Sequence, residues 1–201
     1  MTTPMPLPEP AIMADEDPAA RAYRRKLLAF LGVATFFEGF DQMALAQLLP
    51  SIGRDLHLDA MAQGALVAFV NVGTVLAYLL VRHADKIGRR PVLQITIVGY
   101  TVTSLLSGLA PEVYSFAILQ LLSRVFLIGE WVISTVYAAE EFPAKERGFA
   151  IGLINAFSSL GAVVCAGLVP IIIRAPWGWR TVYFLGTVPL ILLAVARRGL
   201  K

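Results

Sequence analysis

Four charged side chains lie near the middle of two long apolar segments, Glu38 and Asp41 in the first, Arg124 and Glu130 in the second. Each charge placed at the centre of a bilayer costs about 2.5 to 3.5 kcal/mol on insertion scales. These groups are therefore expected to face the interior of a helix bundle, a partner or water, and not lipid. Charged groups in this position mark binding sites or pathways for protons, ions or charged solutes.

The types of these side chains indicate proton binding and anion binding. Glu38, Asp41 and Gln42 share one helical face, because residues three and four apart lie on the same side of a helix. Removal from water favours the protonated form of a carboxyl group, so Asp41 and Glu38 are candidate proton carriers. A guanidinium binds a carboxylate through two parallel hydrogen bonds, which makes Arg124 a candidate for the carboxylate of a substrate. Further polar residues are expected to line the same cavity: Glu130, Gln42, Asn71 and Tyr137.

A purely structural role for these charges is the alternative. Arg124 would then pair with Glu38 or Asp41 and fix the first helix to the fourth. Three acids against one base favour the cavity, because at least two acids lack a partner among the helical cations. Arg124 and Glu130 lie about 120° apart around their helix, so we do not expect them to point at one spot.

The segments that carry these residues are long enough to span a membrane. The chain has 201 residues, of which 57% are hydrophobic and 15% are charged, a composition too apolar for an ordinary soluble domain. A spanning helix needs about 20 apolar residues, and six segments qualify, which predicts an all-α membrane protein with six transmembrane helices. Gly148 and Gly152 have a spacing that permits close helix approach. The predicted segments are approximately 27–50, 62–81, 91–110, 114–139, 149–173 and 177–196.

The placement of basic residues predicts the orientation of the helices. Of the 17 lysine and arginine residues, Arg54, Arg174 and Arg180 fall on one side of the membrane, Arg124 falls within a helix, and the others fall on the opposite side. Basic residues accumulate in cytoplasmic loops, so both termini are expected in the cytoplasm and the chain in the plasma (inner) membrane. The net charge of +3 then reflects topology and not a nucleic-acid partner.

The N-terminal segment and the histidines give no sign of a catalytic or metal site. Residues 1–20 are rich in proline and have no apolar periodicity, which predicts a disordered cytoplasmic tail before a helical bundle formed by residues 21–201. No helix carries the paired histidines of a metal site, because His57 and His83 lie at predicted membrane edges. We therefore expect no enzyme activity, no metal and no cofactor.

Two segments between the predicted helices resemble signatures of the major facilitator superfamily. The segment "RHADKIGRRPVL" resembles the loop pattern G-x-x-x-D-(R/K)-x-G-(R/K)-(R/K), with Val81 in place of the leading glycine, through Asp85, Lys86, Gly88, Arg89 and Arg90. The segment "AAEEFPAKERG" resembles the pattern E-x-x-P-x-x-x-R-G, through Glu140, Pro143, Arg147 and Gly148. The "GWR" at 178–180 also matches the start of the sixth helix.

The resemblance covers about residues 22–201 and implies half of a larger fold. Members of the superfamily usually have twelve helices in two halves, each half made of two inverted three-helix repeats, with the substrate held between the halves. A second six-helix half is therefore an expected partner, either a C-terminal half or a second copy. A truncated N-terminal half is favoured over a half-size protein that dimerises. The resemblance also implies a gating role for the loop residues Asp85, Gly88, Arg89, Arg90 and Arg147.

Resemblance within the superfamily narrows the expected function. The "EGFD" at 38–41 resembles the D-G-x-D segment of aromatic-acid and metabolite proton symporters, and "RVFLIGEW" at 124–131 resembles their helix-four segment, with a shorter spacing from arginine to glutamate. This implies symport of a small organic anion, such as an aromatic or other carboxylic acid, with a proton by alternating access. Two alternatives stay open, namely a proton-coupled exporter of cationic or amphipathic compounds and a non-transporting six-helix partner protein. Expected partners are the substrate, protons, membrane lipid and the second half.

Overall fold

The computed structural model describes residues 18–185, and all regular structure within that range is α-helical. The helices follow one another with short connections. Their bounds are α1 Pro18–Asp55, α2 Ala60–Ile87, α3 Arg89–Leu109, α4 Val113–Glu141, α5 Ala144–Ile172 and α6 Arg180–Leu185.

Five of these helices, α1 to α5, are long and apolar enough to cross a membrane. They confirm the first five predicted segments, and each helix starts before its apolar run. Helix α1 begins at Pro18, so residues 18–20 are helical and not part of a disordered tail, while the rest of that predicted tail lies outside the described residues. Helix α6 begins at Arg180, and residues 186–196 of the sixth predicted segment also lie outside them.

The helix ends follow from local chemistry. The carboxylate of Asp59 accepts a hydrogen bond of 2.7 Å from the backbone N–H of Ala62 and caps the start of α2. Gly88 separates α2 from α3 and has a φ of 99°. Residues other than glycine rarely adopt this backbone conformation. Gly88 is therefore the single turn residue between the end of α2 and the start of α3.

The packing of the helices shows an internal repeat. Helix α1 packs mainly against α5, α4 packs against α2, and α3 packs against α6, while α4 also packs as closely against α3. Exchange of α1, α2 and α3 with α4, α5 and α6 leaves the first three pairings unchanged. This is the pattern of two three-helix repeats within one bundle.

Glycines set the distance between the helices that cross at the centre. A Cβ atom on Gly161 would lie 1.9 Å from the carbonyl oxygen of Phe36, and one on Gly39 would lie 1.9 Å from that of Ser158. The backbones of α1 and α5 are thus in direct contact at these two positions. The close approach predicted at Gly148 and Gly152 is not found, because a Cβ atom there would meet nothing within 4 Å.

The end of α1 is tied to the start of α6. The carboxylate of Asp55 accepts a hydrogen bond of 2.6 Å from Arg180 and one of 3.1 Å from the indole N–H of Trp179. The Trp179 ring also packs edge to face against Phe116 and Tyr183. These contacts close the end of the bundle that is opposite to the loop between α2 and α3.

Two helices remain poorly covered within the described bundle. The apolar segments of α2 and α5 have the highest mean hydropathy of the five spans, 2.1 and 1.9, yet only 22% of each is buried. Large side chains such as Val75 on α2 and Val163 on α5 are exposed. These surfaces suit contact with lipid or with further helices.

Candidate functional site

A small polar cavity lies between α1, α2 and α4 at the depth of the buried charges. It holds a free space of about 10 Å³, enough for roughly one water molecule. Asp41 borders it from α1 and Arg124 from α4, so the structure brings these two predicted residues together. Its other lining residues are Leu45, Val70, Gln120, Ser123 and Leu127.

Two further acids lie beside this cavity and are buried. Glu38 is 4% exposed and Glu130 is 3% exposed. The Ser158 hydroxyl on α5 donates a hydrogen bond of 2.7 Å to the carboxylate of Glu38. Glu38 lies within electrostatic range of both Arg124 and Glu130. Asp41 and Glu38 therefore lie within electrostatic range of Arg124, and Glu130 lies within range of Glu38.

Arg124 and Glu130 point to different places, as expected from their spacing. Arg124 borders the cavity with Asp41, whereas Glu130 is not among the lining residues. Tyr100 on α3 lies within interaction range of Asp41 and of Glu130. Tyr100 thus lies between Asp41 and Glu130 in the cluster. The sequence analysis did not identify it, because no charged residue lies near it on its own helix.

Arg124 does not form a contact ion pair within the described range. The ion pairs there join Arg89 to Asp85 and to Glu140, and Arg180 to Asp55. Asp41 and Arg124 attract each other through space across the cavity. The structural alternative, in which a direct pair with Arg124 fixes the first helix to the fourth, is therefore not what the structure shows.

Two cavity residues were missed by the sequence analysis. Gln120 is 3% exposed and Ser123 is 1% exposed, and both contribute to the cavity wall. The side-chain nitrogen of Gln120 and the hydroxyl of Ser123 have no hydrogen-bond partner among the described residues. Gln120 lies four residues before Arg124, so helical spacing from the arginine was the signal that identifies it.

Gln42 and Asn71 lie on the surface of the described bundle. Both side chains are exposed, and neither borders the cavity that holds Asp41 and Arg124. Val70, the neighbour of Asn71, occupies the lining position on α2. The structure therefore does not bring these two residues to the cavity that Arg124 borders, and their role in substrate binding stays a prediction.

Tyr137 is also placed elsewhere. Its hydroxyl accepts a hydrogen bond of 2.6 Å from the Arg90 side chain and forms one of 3.1 Å with the Tyr23 hydroxyl. Arg90 also donates to Tyr23 and lies over its ring. Tyr137 therefore belongs to a cluster at the end of α4 and not to the wall of the cavity. Sequence reasoning missed Tyr23, which lies in the first turns of α1.

The loop predicted to gate the protein forms an ion-pair cluster with the end of α4. The Arg89 guanidinium donates to Asp85 at 2.6 Å and to the two carboxylate oxygens of Glu140 at 2.9 and 3.2 Å. Residues from both sequence signatures thus meet at one point. Arg147 does not join them, because its side chain is exposed and has no partner among the described residues.

Comparison with known proteins identifies the family. The family model described as Major Facilitator Superfamily matches residues 31–199. The chain is 28% identical over 178 residues to the sialic acid transporter NanX of Escherichia coli, and the match covers 88% of this chain and 44% of that protein. It is 31% identical over 185 residues to a gallate transporter of Pseudomonas putida, covering 89% of this chain and 40% of that protein.

The fold agrees with a solved structure of the same architecture. The proton:xylose symporter XylE, bound to 6-bromo-6-deoxy-D-glucose, superposes with a TM-score of 0.75 at 20% identity, covering 86% of this chain and 44% of that one. The chain therefore spans less than half the length of these proteins. The spanning helices and the relatives together show an integral membrane protein, and the transporter names of the relatives agree with the expectation that it is not an enzyme.

Proposed function

This chain belongs to the Major Facilitator Superfamily, and we propose that it forms the N-terminal half of a carrier that moves a small organic anion together with a proton. In this proposal Asp41 and Glu38 carry the proton, and Arg124 binds a carboxylate of the substrate. The carrier works by alternating access between two six-helix halves. It resides in the plasma (inner) membrane with both ends of this chain in the cytoplasm.

The observation that carries the proposal is the unpaired placement of Asp41 and Arg124. They border one cavity in the apolar interior, yet no direct ion pair joins them. Asp41 is buried and Arg124 is half-buried, and a charge held away from water without an ion-pair partner is costly. An arginine in that state has its donors free to bind a carboxylate bidentately.

The surplus of acids supports proton coupling. Glu38, Asp41 and Glu130 are buried, and Arg124 is within electrostatic range of the first two. If all were ionised, the cluster would carry uncompensated negative charge in a medium that disfavours it. Binding and release of a proton by Asp41 or Glu38 would relieve that charge, and arrival of an anion at Arg124 would change it. The two binding events would thereby be coupled.

The surfaces of α2 and α5 support the second half. They are highly apolar but poorly covered, and the chain spans 40 to 44% of the relatives' length. Gln42 on α1 and Asn71 on α2 are exposed. In the proposed assembly these two side chains line the opening between the halves, while Glu130 remains a buried acid within range of Glu38.

The relatives support the class of substrate. Their names specify sialic acid and gallate, both of which contain a carboxylate. The planar guanidinium of an arginine matches the geometry of a carboxylate. We therefore assign aromatic or other small carboxylic acids to the proposed carrier.

The cluster around Arg89 supports a role in gating. Arg89 joins Asp85 at the end of α2 to Glu140 at the end of α4, while Gly88 supplies the turn between α2 and α3. Opening of the bundle at this end would separate those ion pairs. Arg90 adds hydrogen bonds to Tyr137 and Tyr23. In this proposal the exposed Arg147 contacts the second half.

One alternative follows from the same acids. Glu38, Asp41 and Glu130 would attract a cationic or amphipathic compound, and the carrier would then export that compound in exchange for protons. A six-helix partner protein without transport is the other alternative. Both predict that Arg124 is not needed for binding an anion.

The test uses Arg124→Gln and Arg124→Lys in the carrier assembled from this chain and its second half. We expect Arg124→Gln to lower uptake of a labelled aromatic carboxylate about 100-fold, since a charge-assisted bidentate contact contributes about 3 kcal/mol. Arg124→Lys should recover part of that loss, because it restores the charge without the planar fork. Uptake is measured in vesicles with an imposed proton gradient.

The same vesicles distinguish the alternatives. Undiminished carboxylate uptake in folded Arg124→Gln would contradict the anion proposal. Efflux of a cationic dye that needs Asp41 and not Arg124 would support the exporter. No flux of either solute in the unmodified assembly would support the non-transporting partner.

A further inference from the structure

A second cavity lies outside the buried charge cluster, at the end of the bundle that carries the Arg89 cluster. It measures about 380 Å³ and lies between the first turns of α1 and the start of α5. Four basic side chains line it, with Glu146 as the single acid among the lining residues. The basic residues are Arg21, Arg24, Arg25 and Lys145.

The rest of the cavity wall is apolar. Phe149 is 72% exposed, so its ring is accessible to a ligand in the cavity. Phe142 and Leu28 complete this wall. The cavity therefore has a positively charged part and an apolar part, and a ligand that fills it needs an anionic group joined to hydrocarbon.

The cavity lies where the membrane surface meets the hydrocarbon core. The apolar segments of α1 and α5 begin at Leu27 and Phe149, while the basic residues precede those points. On α1, Arg21, Arg25 and Leu28 follow helical spacing and share one face. The order from charge to hydrocarbon along each helix matches the order from headgroup to acyl chain in a lipid monolayer.

Three of the basic groups are available for a ligand. Among the described residues, Arg21, Arg25 and Lys145 take part in no ion pair. Arg21 and Arg25 are exposed, as is Lys145. Clusters of basic residues beside spanning helices attract anionic phospholipids, and a pocket between two helices adds shape to that attraction.

We propose that this cavity binds the phosphate headgroup of an anionic phospholipid, with its acyl chain against Phe149. The lipid would tie the start of α1 to the start of α5 at the cytoplasmic surface. The inference requires neither transport nor a second half, so its failure and the failure of the proposed carrier function are separate results.

The test measures lipid retained by the purified chain in an uncharged detergent, by native mass spectrometry. Phosphatidylglycerol, cardiolipin and phosphatidylcholine are the probes. We expect the two anionic lipids to be retained over phosphatidylcholine. The triple variant Arg21→Gln, Arg25→Gln, Lys145→Gln should lower their retention at least tenfold, given about fivefold for each cation near the surface.

A matched control removes the same charge elsewhere on the same surface. Lys26→Gln, Arg82→Gln, Lys86→Gln leaves the cavity intact and should change retention less than about twofold. Equal losses in the two triple variants would overturn the proposal, because they would show unspecific attraction to a basic surface. If the cavity variant does not fold, Arg25→Gln alone, at an exposed position, should lower retention about fivefold.

Three further measurements separate the lipid from other occupants. Phe149→Ser should weaken retention of phosphatidylglycerol, since the acyl chain loses its apolar contact. Displacement of the lipid by excess inorganic phosphate, with Phe149→Ser without effect, would indicate a free-phosphate site and overturn the proposal. Retention that appears only in the variant Asp15→Asn, Glu16→Gln, Asp17→Asn would show that the acidic segment of the chain occupies the cavity, and would also overturn it.

Discussion

Two charged clusters in this chain are held in opposite ways. At one end of the bundle, Arg89 is in contact with Asp85 and Glu140 through ion pairs of 2.6 and 2.9 Å. In the middle, Asp41 and Arg124 border one cavity without a contact pair. The exposed cluster pairs its charges, although water would solvate them there. In the central cluster, Asp41 and Arg124 form no direct ion pair, although the attraction between opposite charges is stronger away from water.

The difference shows that packing, and not charge pairing, holds the central cluster in place. The backbones of α1 and α5 touch at Gly39 and Gly161. Gly39 lies between Glu38 and Asp41 on the chain. Rigid support from the backbone lets charged side chains keep their positions without binding one another. In the cluster around Arg89, by contrast, the ion pairs themselves hold the ends of α2 and α4 together. A rotation of these helices would break the ion pairs.

The largest effect is expected from Gly161→Ala. Its Cβ atom would lie 1.9 Å from the carbonyl oxygen of Phe36, and backbone atoms cannot move aside as a flexible side chain can. Overpacking of this kind costs about 3 kcal/mol or more. We expect a large drop in the yield of monodisperse protein by size-exclusion chromatography and in the thermal unfolding midpoint.

Gly152→Ala is the matched control on the same helix. A Cβ atom there meets nothing within 4 Å, and alanine favours the helix by up to about 1 kcal/mol. Similar behaviour of the two variants would show that the contact between α1 and α5 does not hold the central cluster.

A smaller effect is expected from Arg89→Gln. The change removes the contacts of one guanidinium with Asp85 and Glu140. These pairs are partly exposed, so the loss of unfolding free energy should be about 1 kcal/mol. The loss should shrink at high salt, because screening weakens exposed pairs. Thermal unfolding at low and high ionic strength measures both quantities, and a loss independent of salt would contradict an electrostatic attachment.

Tyr137→Phe should have the smallest effect. The change removes a hydroxyl that contacts Arg90 and Tyr23, for a loss of about 0.5 to 1 kcal/mol of unfolding free energy. Because Tyr137 lies outside the central cavity, the substrate concentration at half-maximal uptake should stay within about twofold. A rise of tenfold or more in that concentration would place Tyr137 in the substrate site and contradict the separation of the two clusters.

The spanning helices and the buried charges were predictable because each depends only on the order of residues along one segment. A helix needs about 20 apolar residues to cross the hydrocarbon core, and that rule identified α1 to α5. The proximity of Asp41 to Arg124 was predictable because both residues lie near the middle of their segments, and because charged groups in a membrane face the interior of the bundle. The turn at Gly88 followed from the conformational freedom of glycine.

Contacts between distant helices were not predictable in the same way. Both Gly152 and Gly161 suit close packing by type, and only the crossing of α1 with α5 decides that Gly161 is in contact. Tyr137 shares a helical face with Glu130, but the face runs along the whole helix and reaches Arg90 at its end. Spacing assigns a residue to a face, whereas depth along that face depends on how neighbouring helices are arranged.

The central claim is that the unpaired cluster carries a proton, and Asp41→Asn in the assembled carrier tests it most directly. Glu112→Gln removes an exposed acid outside the cluster and serves as the control. We expect Asp41→Asn to abolish accumulation of a labelled carboxylate driven by a proton gradient, while exchange of the substrate across the membrane without a gradient continues. Gradient-driven accumulation at the level of the unmodified carrier, in a folded Asp41→Asn variant, would contradict the account.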